Sequence, residues 1–186
     1  QFGLKQEELE EIQYLCEEIK KLTFLEKDNK AQRALKIIKE WSKEGFQPII
    51  FCKYIATANY LGRILKENLP NKIDVQVITS ESADEQRKEK VELMGKSDMR
   101  VLVATDCLSE GINLQDVFTA VLHYDLPWNP NRIEQREGRV DRYGQDAPLV
   151  KTWLLWGEDN PIDEIVLKVL IRKVRDIQKS TGVSIS

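Results

Sequence analysis

Histidine occurs once in the 186 residues, at His123, and cysteine three times, at Cys16, Cys52 and Cys107. The cysteines are odd in number and far apart, and no Cys-x-x-Cys or comparable metal-ligand spacing occurs, which argues against a zinc site and a disulfide framework. Reduced thiols in a cytoplasmic protein are the expectation. Cys52 and Cys107 fall on or just after apolar runs, where cysteine serves as a small core residue. No apolar run approaches the roughly 20 residues needed to cross a bilayer, so no membrane partner is expected. Residues 1–11 are polar and acidic, unlike a signal peptide. The sequence opens on Gln1 rather than Met and reads as an excised piece of a longer protein. A strong charge bias is also missing. The formal net charge of −3 argues against a broad basic face, so any nucleic-acid contact has to be local and set by geometry.

What is present is an ordinary globular balance. Hydrophobic residues make up 41% and charged residues 32%, which excludes a mostly disordered chain and suits one domain. Apolar runs of strand length recur at 48–52, 74–80, 100–106, 119–125 and 150–156. They are rich in Val and Ile with little alternation, as strands buried on both faces are. Between them lie helical patterns. Ala31, Ala34, Leu35, Ile38 and Trp41 form one stripe ended by Gly45, and Tyr60, Leu61, Ile64 and Leu65 form another before Pro70. Ser82 and Glu85 have capping-box spacing for a helix running to Met94. Helices alternating with buried strands predict an α/β three-layer domain with about five mostly parallel strands and helices on both faces. Residues 4–22 and 162–180 are amphipathic, highly charged helices, expected to pack on the sheet's flanks or on the remainder of the protein. The expected organisation is a helix and linker over 1–27, the α/β domain over 28–158 and a helical extension over 159–186.

In a parallel sheet all strand C-termini share one edge, where ligands bind. Three unusual segments follow strands here: residues 51–54, 104–115 and 125–145. In the third, Asn129 and Pro130 make a good helix start, with Asn as N-cap and Pro at the first helical position. The spacing predicts a helix through Arg142 that places Gln135, Arg139 and Arg142 on one face. Gly138 costs a helix about 1 kcal/mol relative to Ala, so its place beside the arginines points to close approach of a backbone or ligand. Two guanidinium groups at such an edge suit an anion with charge spread over several oxygens. The alternative is a solvated face, with Arg139 paired to Glu137 or Asp141.

The segment Gln135-Arg136-Glu137-Gly138-Arg139-Val140-Asp141-Arg142-Tyr143-Gly144-Gln145 resembles the sixth motif of superfamily 2 helicases, in the form of the chromatin-remodeller (switch/sucrose-nonfermenting) branch. Ser109-Glu110-Gly111-Ile112-Asn113-Leu114-Gln115 resembles the fifth motif. With Asp125-Leu126-Pro127-Trp128-Asn129-Pro130 the likeness is to bacterial members, among them the RNA-polymerase-recycling ATPases. Residues 48–54 resemble the fourth motif loosely, and Arg87 stands where the family has an arginine after the second strand. The resemblance covers about 31–156 and implies a RecA-like lobe.

It also implies roles. Arg139 and Arg142 would be fingers reaching the terminal phosphate of ATP held by another lobe, an effect typically worth 10³–10⁵ in rate. Gln135, Gly138, Gly111 and Asn113 would line the nucleotide side. Thr105 would touch the nucleic-acid backbone, with Lys53, Tyr54, Thr79 and Ser80 as weaker members of that track. An aromatic after a buried strand is usually packing, so both readings of Tyr54 stay open. Trp128 is expected to brace its loop, and His123 to be a hydrogen-bonded residue within a buried strand.

A phosphate-gripping loop needs GxxxxGK[ST]. The nearest string, Gly95-Lys96-Ser97, has Lys90 where the first Gly is required, and no acidic motif follows a buried strand to hold Mg²⁺. Asp163 and Glu164 open the last helix, where acids favour the helix dipole. The expected partners are therefore an N-terminal RecA-like lobe holding ATP and Mg²⁺, DNA or RNA, and RNA polymerase or another protein complex. No tightly bound cofactor is expected here, and the isolated chain should not hydrolyse ATP. The rival is a non-catalytic interaction module that keeps the fold.

Overall fold

The computed structural model describes residues 5–22, 24–108, 112–127, 129, 131–157 and 160–181, with side chains described at these positions except 22, 162 and 173–181. Helix α1 (Gln6–Leu22) and a single 3-10 turn (Leu25–Lys27) precede α2 (Asn29–Lys43). There follow β1 (Pro48–Phe51), α3 (Ile55–Asn68), β2 (Asp74–Ile78), α4 (Asp84–Met94), β3 (Arg100–Ala104) and β4 (Ala120–His123). Helix α5 (Asn131–Glu137), β5 (Lys151–Leu154) and α6 (Pro161–Thr181) complete the order. The strands lie in the order β2-β3-β1-β4-β5, every pairing parallel. This is the α/β arrangement that the alternation of elements predicts, and it agrees with the RecA-like lobe that the resemblance implies.

Strands β1 and β4 and all of β3 but Arg100 are buried, because helices cover both faces. On one face α2 and α3 pack Ala34, Ile38, Trp41, Leu61 and Leu65 against Ile50, Val103 and Leu122. On the other, Val91 and Met94 of α4 meet Ile49, Leu102 and Val121, joined by Leu108, Leu114, Phe118 and Val140 from the connections. Residues alternate between the two faces along each strand, as the pleat dictates. Gly62 of α3 lies so close to β2 that an added Cβ would sit 2.2 Å from Val77 Cγ2.

Helix ends show where local signals held. Asp28 caps α2 by accepting from the Ala31 N–H at 2.8 Å. The helix closes through Phe46 N–H donating to the Trp41 carbonyl, with Gly45 at φ +89°, a conformation that favours glycine. Asn129 caps α5, its side chain accepting from the Asn131 N–H at 3.0 Å. The capping box expected at Ser82 does not form. Helix α4 starts at Asp84 with Ala83 at the N-cap and no side-chain cap, and the Ser82 N–H donates to the Thr79 carbonyl instead, at 3.3 Å.

Two expectations are corrected. Each strand ends one or two residues before its apolar run does, because its last backbone bonds come from residues already turning away: Cys52 N–H to Ala104, Thr105 N–H to Ile78, Tyr124 N–H to Phe51 and Leu155 N–H to His123. And α5 stops at Glu137 instead of running to Arg142. Val140, in the turn that follows, is fully buried in the core. Helix α1 shows no flank packing: Leu9, Ile12, Leu15 and Ile19 are exposed. Helix α6 buries Asp163 and Val166 and leaves Ile165, Val169 and Ile171 exposed.

Candidate functional site

The strand order sets the C-terminal ends of β2, β3, β1 and β4 side by side, and with them Thr79, Thr105, Lys53 and Asp125. Asp125 ties the middle of this edge together. Its carboxylate accepts from the Lys53 backbone N–H at 3.0 Å and from Lys30 Nζ at 3.2 Å. Its carbonyl accepts from Arg136 Nη1 at 3.3 Å.

Beside this edge, Asp106, Arg132, Gln135, Arg136 and Arg139 line a cavity of about 180 Å³. Arg136 is buried and fully engaged. Its Nε and Nη2 donate to the two carboxylate oxygens of Asp106 at 2.7 and 2.9 Å, and its guanidinium lies 5.2 Å from the Phe51 ring centroid. Arg132 Nη1 donates to the same carboxylate at 3.0 Å. Burial alone would raise the Asp106 carboxyl's pKa, but the hydrogen bonds and charges of Arg136 and then Arg132 outweigh it and hold it below the usual range. That carboxylate is thereby committed. Arg139, half-buried, has no ion pair or side-chain hydrogen bond among the described residues, and neither has the exposed Arg142. Three guanidinium groups against one carboxylate leave the cavity positive, with Arg139 as the uncommitted donor.

The structure brings Gln135 and Arg139 together and does not place Arg142 with them, since the helix that would have stacked all three ends first. Gly138 is exposed, and a Cβ there would lie 3.1 Å from the Glu134 carbonyl. Asn113 is exposed and donates to Asp116 at 3.0 Å. Gly111, Trp128 and Pro130 lie outside the described residues. Lys53 is exposed and its Nζ stands 4.8 Å from the Tyr54 ring centroid. Tyr54 is 59% exposed at the head of α3, outside the core of this domain. Ser80 is exposed, whereas Thr79 is buried, with its hydroxyl bonded to Glu81 at 3.3 Å. The Thr105 hydroxyl is enclosed without a hydrogen-bond partner, so it reaches a ligand only if its cover moves. Arg87 is held by the Ser82 carbonyl and by Asp84. His123 is half satisfied: Nε2 meets Glu137 Oε1 at 3.1 Å, and the buried Nδ1 has no partner.

Arg136, Asp106 and Arg132 were not singled out by sequence reasoning. Nothing in local spacing links an aspartate after one strand to an arginine inside a later helix. The only hint was that both segments follow strands of one parallel sheet.

A family model described as "Helicase conserved C-terminal domain" matches residues 26–144. The chain belongs to that family. It is 32% identical over 150 residues to an uncharacterized ATP-dependent helicase, YqhH, of Bacillus subtilis (strain 168), covering 81% of this chain and 26% of that protein. It is 35% identical over 122 residues to the ATP-dependent RNA helicase uap56 of Schizosaccharomyces pombe, covering 65% of this chain and 27% of that one. Among solved structures, the Sulfolobus solfataricus SWI2/SNF2 ATPase core in complex with dsDNA superposes with a TM-score of 0.64 at 22% identity, covering 86% of this chain and 33% of that one. The last likeness shows the fold alone. This helicase C-terminal domain thus spans about a quarter of the length of the relatives it matches. The matched region runs from just before α2 to Gly144 and so includes every residue lining the arginine cavity.

Proposed function

We propose that this domain is the C-terminal motor lobe of an ATP-dependent nucleic-acid translocase of the remodeller type, acting on double-stranded DNA. The observation that carries the reading is Arg139, an uncommitted guanidinium in a small positive cavity at the carboxyl edge of the sheet, beside an aspartate already used by Arg136 and Arg132. A buried, neutralised arginine cannot act as a finger; one held half-buried without a partner can. ATP and Mg²⁺ would be held mainly by an N-terminal RecA-like lobe, the nucleotide supplying the phosphoryl group and the metal offsetting its negative charge. Arg139 would donate to oxygens of the terminal phosphate as the two lobes close, with Gln135 beside it. Arg142, exposed and unpaired among the described residues, would reach the same phosphate only with the facing lobe in place. Lys53, Tyr54 and Ser80 present a cation, an aromatic face and a hydroxyl along the same edge, a set suited to a nucleic-acid backbone. An RNA polymerase partner rests on the likeness of residues 109–115 and 125–130 alone.

In the full-length protein, Arg139→Ala is expected to lower nucleic-acid-stimulated ATP hydrolysis by about 10³-fold or more, with ATP affinity changed far less. Undiminished hydrolysis would remove the finger assignment. Duplex DNA and duplex RNA as stimulating ligands separate the two substrates, since uap56 is named an RNA helicase. Triplex displacement without strand displacement marks translocation rather than unwinding.

A further inference from the structure

The turn that carries Arg139 takes two of its backbone bonds from one residue. Glu137 is the last residue of α5, and its carbonyl accepts from both Val140 N–H at 2.9 Å and Asp141 N–H at 2.8 Å. Arg139 N–H has only a longer bond, 3.4 Å, to the Arg136 carbonyl. The Glu137 side chain points the other way and meets His123 Nε2 at 3.1 Å. His123 lies within β4, fully buried, its backbone paired with Phe51 on one side and Leu154 on the other. Its ring stacks on Phe51 at 6.3 Å and 24°. That imidazole cannot shift without moving the centre of the sheet.

We propose that Glu137, braced by His123, is a positioning residue that fixes where Arg139 stands. This rests on the reading of Arg139 given above. A carboxylate only accepts hydrogen bonds, so Nε2 carries the proton and the orphaned Nδ1 is a bare acceptor, a less costly atom to leave unpaired than a donor. Burial lowers the ring's affinity for a proton, and Glu137 opposes this only in part, so the imidazole is neutral at pH 7. The brace is then a neutral N–H held on a carboxylate at 3.1 Å, a directional bond. On the adjacent residue Asp106 grips Arg136, so neighbouring side chains anchor the helix end to β4 and to the end of β3. The turn is also pinned from beyond by Val140, buried in the core, whose carbonyl accepts from Gln145 Nε2 at 2.8 Å. Removing the Glu137 carboxylate keeps the backbone bonds of the turn and the pins on either side, and removes the side-chain tie between residue 137 and β4.

The test uses the full-length protein and steady-state ATP hydrolysis with saturating duplex DNA. Glu137→Ala is expected to lower kcat about ten- to a hundred-fold, the scale of a misplacement near 1 Å, with KM for ATP within about twofold. Glu137→Gln keeps an oxygen acceptor for Nε2–H and is expected to restore most of the rate. In an Arg139→Lys background, Glu137→Ala should lower kcat no further, because the group it positions is already compromised. The proposal is overturned if Glu137→Ala turns over like wild type, if Gln fails as badly as Ala, or if the loss is the same factor in both backgrounds. Normal turnover by Arg139→Lys alone would instead overturn the reading of Arg139 on which it rests.

Discussion

Removing the carboxylate of Asp106 should cost this domain far more than removing the arginine it holds. The side chain of Arg136 is 4% exposed, and two of its nitrogens rest on Asp106 at 2.7 and 2.9 Å. Arginine cannot shed its proton to relieve burial, so Asp106→Ala strands a permanent charge, leaving only the Asp125 carbonyl and the Phe51 ring in contact. Breaking a buried pair in this way costs about 3–5 kcal/mol. Asp106 is 31% exposed, so water can enter from its side and the lower end, about 3 kcal/mol, is expected. For a chain of this size that lowers Tm by about 6–12 °C. Arg136→Met behaves differently. It fills the same apolar slot, and Asp106 keeps Arg132 at 3.0 Å and its contact with water, so the loss should be near 1 kcal/mol. The double variant should return close to Arg136→Met alone. Urea unfolding of the 186-residue chain, followed by far-UV circular dichroism, measures all three. A loss under about 1 kcal/mol for Asp106→Ala, or simple additivity in the double variant, would refute the reasoning.

Three further outcomes are expected. His123 is the sole histidine, and its pKa lies below the ordinary 6.5 because burial disfavours the imidazolium. The unfolded chain therefore takes up that proton first, and stability should be full above pH 6.5 and fall below it, by up to about 1.4 kcal/mol per pH unit until the folded value is passed. Thermal melts from pH 7.5 downward check this; a flat profile, or the same slope in His123→Gln, contradicts it. Gly62→Ala should destabilise by about 1–3 kcal/mol despite its better helix propensity, because the new methyl meets Val77, and Val77→Ala should relieve it. Chemical denaturation of the single and double variants decides. Among the thiols, exposed Cys16 should react with a disulfide reagent first and half-buried Cys107 later, whereas Cys52, whose pKa burial raises strongly, should react only on unfolding. Fast labelling of Cys52 in the folded chain would show that β1 opens.

The sheet was legible because its central strands are buried on both faces, which leaves Pro48–Phe51, Arg100–Ala104 and Ala120–His123 as apolar words in a charged text. Where those words end was less legible, since Thr105 and Tyr124 belong to the core as side chains after leaving the sheet as backbone. The site divides the same way. Gln135 and Arg139 were placed correctly relative to each other because they span the end of a real helix and its following turn. Arg142 was not, because helical spacing was carried past Glu137, where α5 ends, into the turn that follows. Arg136, within the same motif, looked like its neighbours; only tertiary pairing with Asp106 separates a structural arginine from one free to bind. Ser82 fails as a cap for a similar reason, its N–H being taken by the Thr79 carbonyl at 3.3 Å.

The central position of β1 carries a consequence for biosynthesis. Within this domain it is made before both of its partners, β3 and β4, and its Phe51 pairs with His123. Through that interval Ile49, Ile50 and Phe51 present two open edges, a template for mispairing with any nascent strand nearby. Closure waits for non-local contacts, which makes the step slow compared with helix formation. A polypeptide released before His123 has been made would be an aggregation hazard and a substrate for quality control.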